Sequence, residues 1–121
     1  MNGPDFVGIG AGRSGTTWTH RVLADHPAIW MTPIKELHHF DDPGRKRYFR
    51  DLGKRLRHPG RLTKWDARYF LGRNSDRWYG ELFAAARRRG LRAGEITPEY
   101  ALLDDAGFAR LRAVNDAVRI V

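Results

Sequence analysis

The sequence contains no cysteine in 121 residues. That excludes a disulfide-stapled secreted mini-domain, a cysteine-based metal site and a thiol nucleophile. No apolar run approaches the ~18–20 residues of a membrane span. The opening Met1-Asn2-Gly3-Pro4-Asp5 lacks the basic and apolar stretches of a secretory leader, so the expected setting is cytoplasmic. Internal repeats and low-complexity linkers are missing as well, which leaves one domain at most. Acidic residues are scarce: 14 Asp+Glu stand against 22 Lys+Arg, for a formal net charge of +8. With 41% hydrophobic and 30% charged residues the composition is that of a globular chain, neither disordered nor fibrous.

The basic excess is local. Residues 44–92 hold 16 Lys+Arg and 4 Asp+Glu. Such a block suits nucleic acid, a membrane surface or an anionic substrate, and it equally suits a solvated, arginine-rich helical face. Tyr48, Phe49, Trp65, Tyr69, Phe70 and Trp78 lie among the charges. They keep a basic nucleic-acid-binding module open as an alternative, although no recognised nucleic-acid motif accompanies them.

Along the chain, strands and helices alternate. Residues 5–10 read as a short apolar strand running into glycines. Thr16 or Thr17 can cap a helix reaching about residue 25, where His26-Pro27 stops it. Residues 28–31 read as a second strand and 34–42 as a loop. An amphipathic helix is expected over 43–56, and 62–74 stays open between a short helix and an irregular stretch. Asp76 is expected to cap a helix through residue 89, stopped by Gly90, with Trp78 and Tyr79 as core contacts. A third strand is expected at 91–95, a turn at 97–100, a helix at 106–115 and a further strand at 117–121. This alternation implies a mainly parallel α/β sheet.

The most informative segment is Gly10-Ala11-Gly12-Arg13-Ser14-Gly15-Thr16-Thr17-Trp18, between a strand and a helix. In that setting a glycine-rich turn can present backbone N–H groups and a helix N-terminus to a phosphate. Arg13 adds a planar cationic fork, and Ser14, Thr16 and Thr17 add hydroxyls. The glycine spacing fits the dinucleotide pattern, but the second strand ends Trp30-Met31-Thr32 without the acid that binds a ribose. Gly10 and Gly15 also have the spacing of the nucleoside-triphosphate loop, with Thr16 where its lysine belongs. A nucleotide-binding kinase or NTPase with a degenerate loop is therefore an alternative reading.

Arg13-Ser14-Gly15-Thr16-Thr17-Trp18 resembles the 5′-phosphosulfate-binding loop of sulfotransferases that use 3′-phosphoadenosine 5′-phosphosulfate. Lys35-Glu36-Leu37-His38-His39-Phe40 resembles the Glu-x-His-x-Phe segment of their heparan-sulfate-type and bacterial branches. Gly94-Glu95-Ile96-Thr97-Pro98-Glu99-Tyr100 resembles a third family segment, with Ile96 in place of its lysine. The resemblance implies a P-loop-like three-layer α/β/α fold with a parallel sheet. It further implies that residues 1–121 are the N-terminal portion of one such domain, truncated after about four strands and inactive alone. The pair expected to bind the donor's 3′-phosphate would follow residue 121.

The resemblance also implies roles. Gly12, Arg13, Ser14, Gly15, Thr16, Thr17 and Trp18 would hold the phosphosulfate donor, Glu36 would be the general base, and Arg13 and His38 would assist. His39 is a weaker candidate. The implied reaction moves a sulfuryl group to a hydroxyl or amino group of a carbohydrate or lipid acceptor. An anionic acceptor would suit the basic block; no nucleic acid is expected as a partner. No metal is expected, because His38-His39-x-Asp41 on a loop is not a ligand set by spacing.

Overall fold

The computed structural model describes residues 3–9, 15–42 and 44–121. Four short strands, β1 (Phe6–Gly8), β2 (Ile29–Met31), β3 (Arg92–Ile96) and β4 (Arg119–Ile120), form one parallel sheet in the order β2-β3-β1-β4. The register sets Phe6 opposite Gly94, Val7 opposite Glu95 and Trp30 opposite Ala93. Phe6 and Gly94 make a close pair: a Cβ on Gly94 would lie 2.3 Å from the Phe6 ring, so the position is closed to any side chain.

The helices are α1 (Thr16–Ala24), α2 (Tyr48–Leu56), α3 (Lys64–Leu71), α4 (Asp76–Glu81), α5 (Ala84–Arg88) and α6 (Asp105–Val114). The path from β1 to β2 runs one way along the sheet; the paths from β2 to β3 and from β3 to β4 run the other way. With right-handed crossovers, that reversal puts α1 on one face and the later helices on the opposite face. The result is the expected three-layer α/β/α arrangement. On the α4/α5 side, Val7, Ala93, Tyr79, Phe83, Ala86 and Leu111 belong to one buried cluster with Phe40 and Tyr100. Burying each large side chain of this set contributes about 1.5–3 kcal/mol. Trp78 and Tyr79 are core residues, as expected.

Several boundaries differ from the sequence expectations. Thr16 and Thr17 do not cap α1; they lie inside its first turn, and Gly15 (φ 82°) occupies the cap position. The helix expected from residue 43 begins only at Tyr48. Arg45 is left-handed at φ 49°, and a right-handed helix cannot run through it. Its guanidinium instead lies 4.8, 4.9 and 4.7 Å from the rings of Tyr48, Tyr69 and Trp78. The open stretch 62–74 contains α3, started by a reciprocal capping box between Thr63 and Asp66.

Ser75, not Asp76, caps α4, accepting from the Trp78 N–H at 3.1 Å. Asp76 is committed elsewhere, to His39 at 2.8 Å and Arg110 at 2.6 Å. The single helix expected over 76–89 is two. At the break, Leu82 and Phe83 donate to residues three back instead of four, a tightening that lets both side chains be buried. The Trp65 indole takes the Leu82 carbonyl at 3.1 Å. Among the described residues, no helix is long and apolar enough to cross a membrane.

Candidate active site at the carboxyl edge of the sheet

Connections leave the adjacent strands β1 and β3 in opposite directions, and such a switch point opens a crevice at the carboxyl ends of the strands. Three segments reach that edge: the start of α1 at Gly15, residues 32–42 after β2, and the 3₁₀ turn Pro98–Leu102 after β3. Of the loop residues expected to hold a donor, Gly12, Arg13 and Ser14 lie outside the described residues. Gly15 is described, and among the described residues a Cβ built on it meets nothing within 4 Å. The N–H groups of the first turn have no partner within the helix, and the helix dipole makes this end positive.

The Thr17 hydroxyl accepts a hydrogen bond from Lys35 Nζ at 2.5 Å. Lys35 Nζ also lies 3.6 Å from Glu36 Oε1. One ammonium therefore joins the start of α1 to the carboxylate after β2. Trp18 projects into solvent, with 69% of its surface exposed. An N–H-rich helix start with a lysine at its rim suits a phosphate or sulfate group.

Glu36 is oriented by His38, whose Nε2 lies 3.2 Å from Glu36 Oε2. On the other side of the ring, His38 Nδ1 lies 3.0 Å from Asp41 Oδ2 and 3.9 Å from Glu99 Oε2. The imidazole is 2% exposed and its backbone is left-handed, at φ 54°. A residue with a Cβ holds that conformation at a cost of about 1–3 kcal/mol, and only where its surroundings fix it.

The surroundings come from β3 and the turn after it. Glu95 is fully buried. Its Oε1 accepts from the Leu37 N–H at 3.3 Å and the Thr97 hydroxyl at 2.6 Å. Its Oε2 accepts from the Tyr79 hydroxyl and from the Tyr100 hydroxyl, the latter at 3.1 Å. The Thr97 hydroxyl in turn accepts from the His38 N–H at 3.5 Å, and the Tyr100 hydroxyl from the His39 N–H at 2.9 Å. Three successive amides of the Glu36 segment thus end on one buried polar cluster. Burial pushes the Glu95 carboxyl above its ordinary value, against the opposing pull of its hydrogen bonds.

The structure thus brings Thr17, Lys35, Glu36 and His38 to one edge. The sequence pattern assigns no role to Lys35, Glu95, Thr97 or Tyr100. The available signal was a glutamate inside the buried run Ala93–Ile96, where an unpaired charge is not tolerated. His39 turns away from the crevice: it stacks on Tyr79 at 4.7 Å and bonds Asp76. Burial lowers the His39 pKa, with Asp76 opposing. Ile96, in place of a lysine, is buried. One ligand atom each of Glu36, His38 and Glu99 lie within 4.8 Å of one another, but both His38 nitrogens already face carboxylates.

The parallel sheet with its switch point, the start of α1 and the carboxylate–imidazole pair define an α/β protein with a candidate site at the carboxyl edge of its sheet. A family model described as the sulfotransferase family matches residues 4–108, most of the chain. The chain belongs to the sulfotransferase family, and sulfuryl transfer is the activity that this membership supports. No curated protein and no solved structure matches the chain.

Proposed function

We propose that the protein belongs to the branch of sulfotransferases whose donor is 3′-phosphoadenosine 5′-phosphosulfate and whose acceptor is a hydroxyl or amino group of a carbohydrate or lipid. The single observation that carries this reading is the Lys35 bridge: one cation touches both Thr17 at the helix start and Glu36, the candidate base. When bound, the donor supplies a sulfuryl group activated on its 5′-phosphate. The turn before α1, with Gly12, Arg13, Ser14 and Gly15, would hold that phosphosulfate through N–H groups and the Arg13 guanidinium. Thr16, Thr17 and Trp18 follow in the first turn of the helix.

Glu36 takes the proton from the acceptor as its oxygen or nitrogen bonds to sulfur. An aligned base of this kind contributes about 10²–10⁴-fold in rate. His38 holds Glu36 in position and is itself held by Asp41. Lys35 and Arg13 stabilise the negative charge that grows on the oxygen leaving sulfur. As in phosphoryl transfer, most of the work is positioning and electrostatics.

Calorimetric titration of the full-length protein with adenosine 3′,5′-bisphosphate, with and without EDTA, tests the reading. Binding that ignores EDTA and is lost in Arg13→Ala is the expected result. Binding of ATP that requires Mg²⁺, with none of the bisphosphate, would overturn it in favour of a kinase or NTPase. Salt-sensitive binding of generic DNA without bisphosphate binding would overturn it in favour of a nucleic-acid module.

A further inference from the structure

A cavity of about 370 Å³ opens beside Glu36, between the segment leaving β2 and one face of α2. Arg50, Asp51, Lys54 and Arg55 face it from the helix, at the spacing of a single helical stripe. Lys35 and Glu36 face it from the other wall, and Pro33 and Ile34 supply the apolar lining. The volume falls within the ~300–1,000 Å³ of small-molecule sites, but such sites are mostly apolar and this one is mostly charged.

The charges are unequally committed. Arg55 is held by Asp66 at 2.7 and 2.9 Å. Lys35 is engaged by Thr17 and Glu36. Arg50 reaches only its buried neighbour Asp51, at 3.5 Å. Among the described residues, no hydrogen bond or ion pair within 4.0 Å engages the Lys54 ammonium. Burial pushes the Asp51 carboxyl up, and Arg50 and Lys54 oppose it. One wall of the cavity therefore carries two cations that share a single buried carboxylate, Asp51, and the other carries the candidate base.

We propose that this cavity is the acceptor subsite and takes an acidic saccharide, with the acid group against Arg50 and Lys54 and a hydroxyl toward Glu36. The assignment of the subsite to an acceptor rests on the sulfotransfer reading above. A guanidinium fork and an ammonium together match a carboxylate or a sulfate ester. Six of the eight lining residues are charged, so a lipid tail would desolvate charged groups along its length, and a neutral sugar would add no partner for the Lys54 ammonium.

The test is titration of the ¹⁵N-labelled full-length protein with glucuronate, glucose 6-sulfate and uncharged glucose, each alone and with adenosine 3′,5′-bisphosphate present. Both acids should shift the amides of residues 35, 36, 50 and 54 saturably, and glucose should bind at least about tenfold more weakly. The double variant Arg50→Gln, Lys54→Gln should lose about tenfold in affinity for the acids while the rest of its spectrum stays in place. Equal binding of glucose, acid-induced shifts confined to other residues, or unchanged affinity in the double variant would overturn the proposal. The bisphosphate is read separately, at the amides of residues 15–17. Acid binding without a bisphosphate response keeps the acid site and defeats the donor reading; a bisphosphate response without acid binding defeats the acid site alone.

Discussion

Glu95→Ala is the perturbation whose consequences the structure defines most fully. The substitution removes the acceptor of four donors: Leu37 N–H, the Thr97 hydroxyl, and the hydroxyls of Tyr79 and Tyr100. Each buried donor left unpaired costs about 1–3 kcal/mol. The full sum is an upper bound, because a water can enter the vacated space and the burial cost of the carboxyl disappears. A net loss of about 3–5 kcal/mol is the expected balance, a large share of the ~5–15 kcal/mol by which domains are stable. The melting midpoint should fall by on the order of 15 °C.

Glu95→Gln separates the two halves of the cluster. The amide oxygen can keep the bonds from Leu37 and Thr97 now made to Oε1, while the amide nitrogen faces the two tyrosine hydroxyls without accepting from them. Its cost should be about 1–3 kcal/mol. Urea denaturation followed by circular dichroism measures the stabilities, and amide hydrogen exchange at residues 37, 38 and 39 reads the loop directly. Glu95→Ala should lose exchange protection at all three; Glu95→Gln should keep it at Leu37. A Glu95→Ala protein within about 0.5 kcal/mol of the parent, the range of a neutral surface change, would refute the reasoning. So would unchanged exchange at these amides.

Arg55→Met should cost about 3–5 kcal/mol in urea denaturation at neutral pH, because it strands the buried Asp66 carboxylate. Burial pushes Asp66 up, but the Arg55 guanidinium and the Thr63 groups pull it further down, so it sits below the ordinary carboxylate value. Its contribution is therefore present above the unfolded pKa and is lost as pH falls through the depressed folded one, a loss that pH-dependent melting should show weakened in Arg55→Met. Gly94→Ala should destabilise by about 1–3 kcal/mol by thermal melting, since its new methyl group would meet the Phe6 ring. Gly15→Ala has room for the methyl group but not for its backbone angle, and should cost about 1–2 kcal/mol while weakening bisphosphate binding in calorimetry.

The sheet and the chemistry-bearing segments were legible because each depends on a local pattern. The apolar residues of β1 and β2, the Gly90 stop and the Glu36–His38 spacing need no knowledge of distant partners. Some of the boundaries that shifted depend on contacts far away in sequence. Asp76 has the composition of a cap, yet it is drawn off by His39 and Arg110, thirty-odd residues away on either side. Arg45 has good intrinsic helix propensity, yet its guanidinium is better placed over three rings than in a first helical turn. Lys35 reads locally as a neighbour of Glu36; only the packing of α1 against β2 shows that it also reaches Thr17.

The buried glutamate also explains how a loop can be shaped at the edge of a sheet. The last ladder-like bond of the chain leaving β2 is Thr32 N–H to the Gly94 carbonyl, at 3.4 Å. Beyond it the chain departs from β3, so the amides of residues 37–39 have no strand to pair with. An apolar residue at position 95 would pack well but leave the Leu37 amide and the hydroxyls of Thr97, Tyr79 and Tyr100 without their acceptor, which native interiors rarely tolerate. A carboxylate, a threonine and a tyrosine supply the missing acceptors from the end of the neighbouring strand. Fixing three successive amides is also what holds His38 in its left-handed conformation, with its ring between Asp41 and Glu36. Under the proposed function, Glu36 as base is thereby aimed before any acceptor arrives, and the orientation cost falls on folding instead of on the chemical step.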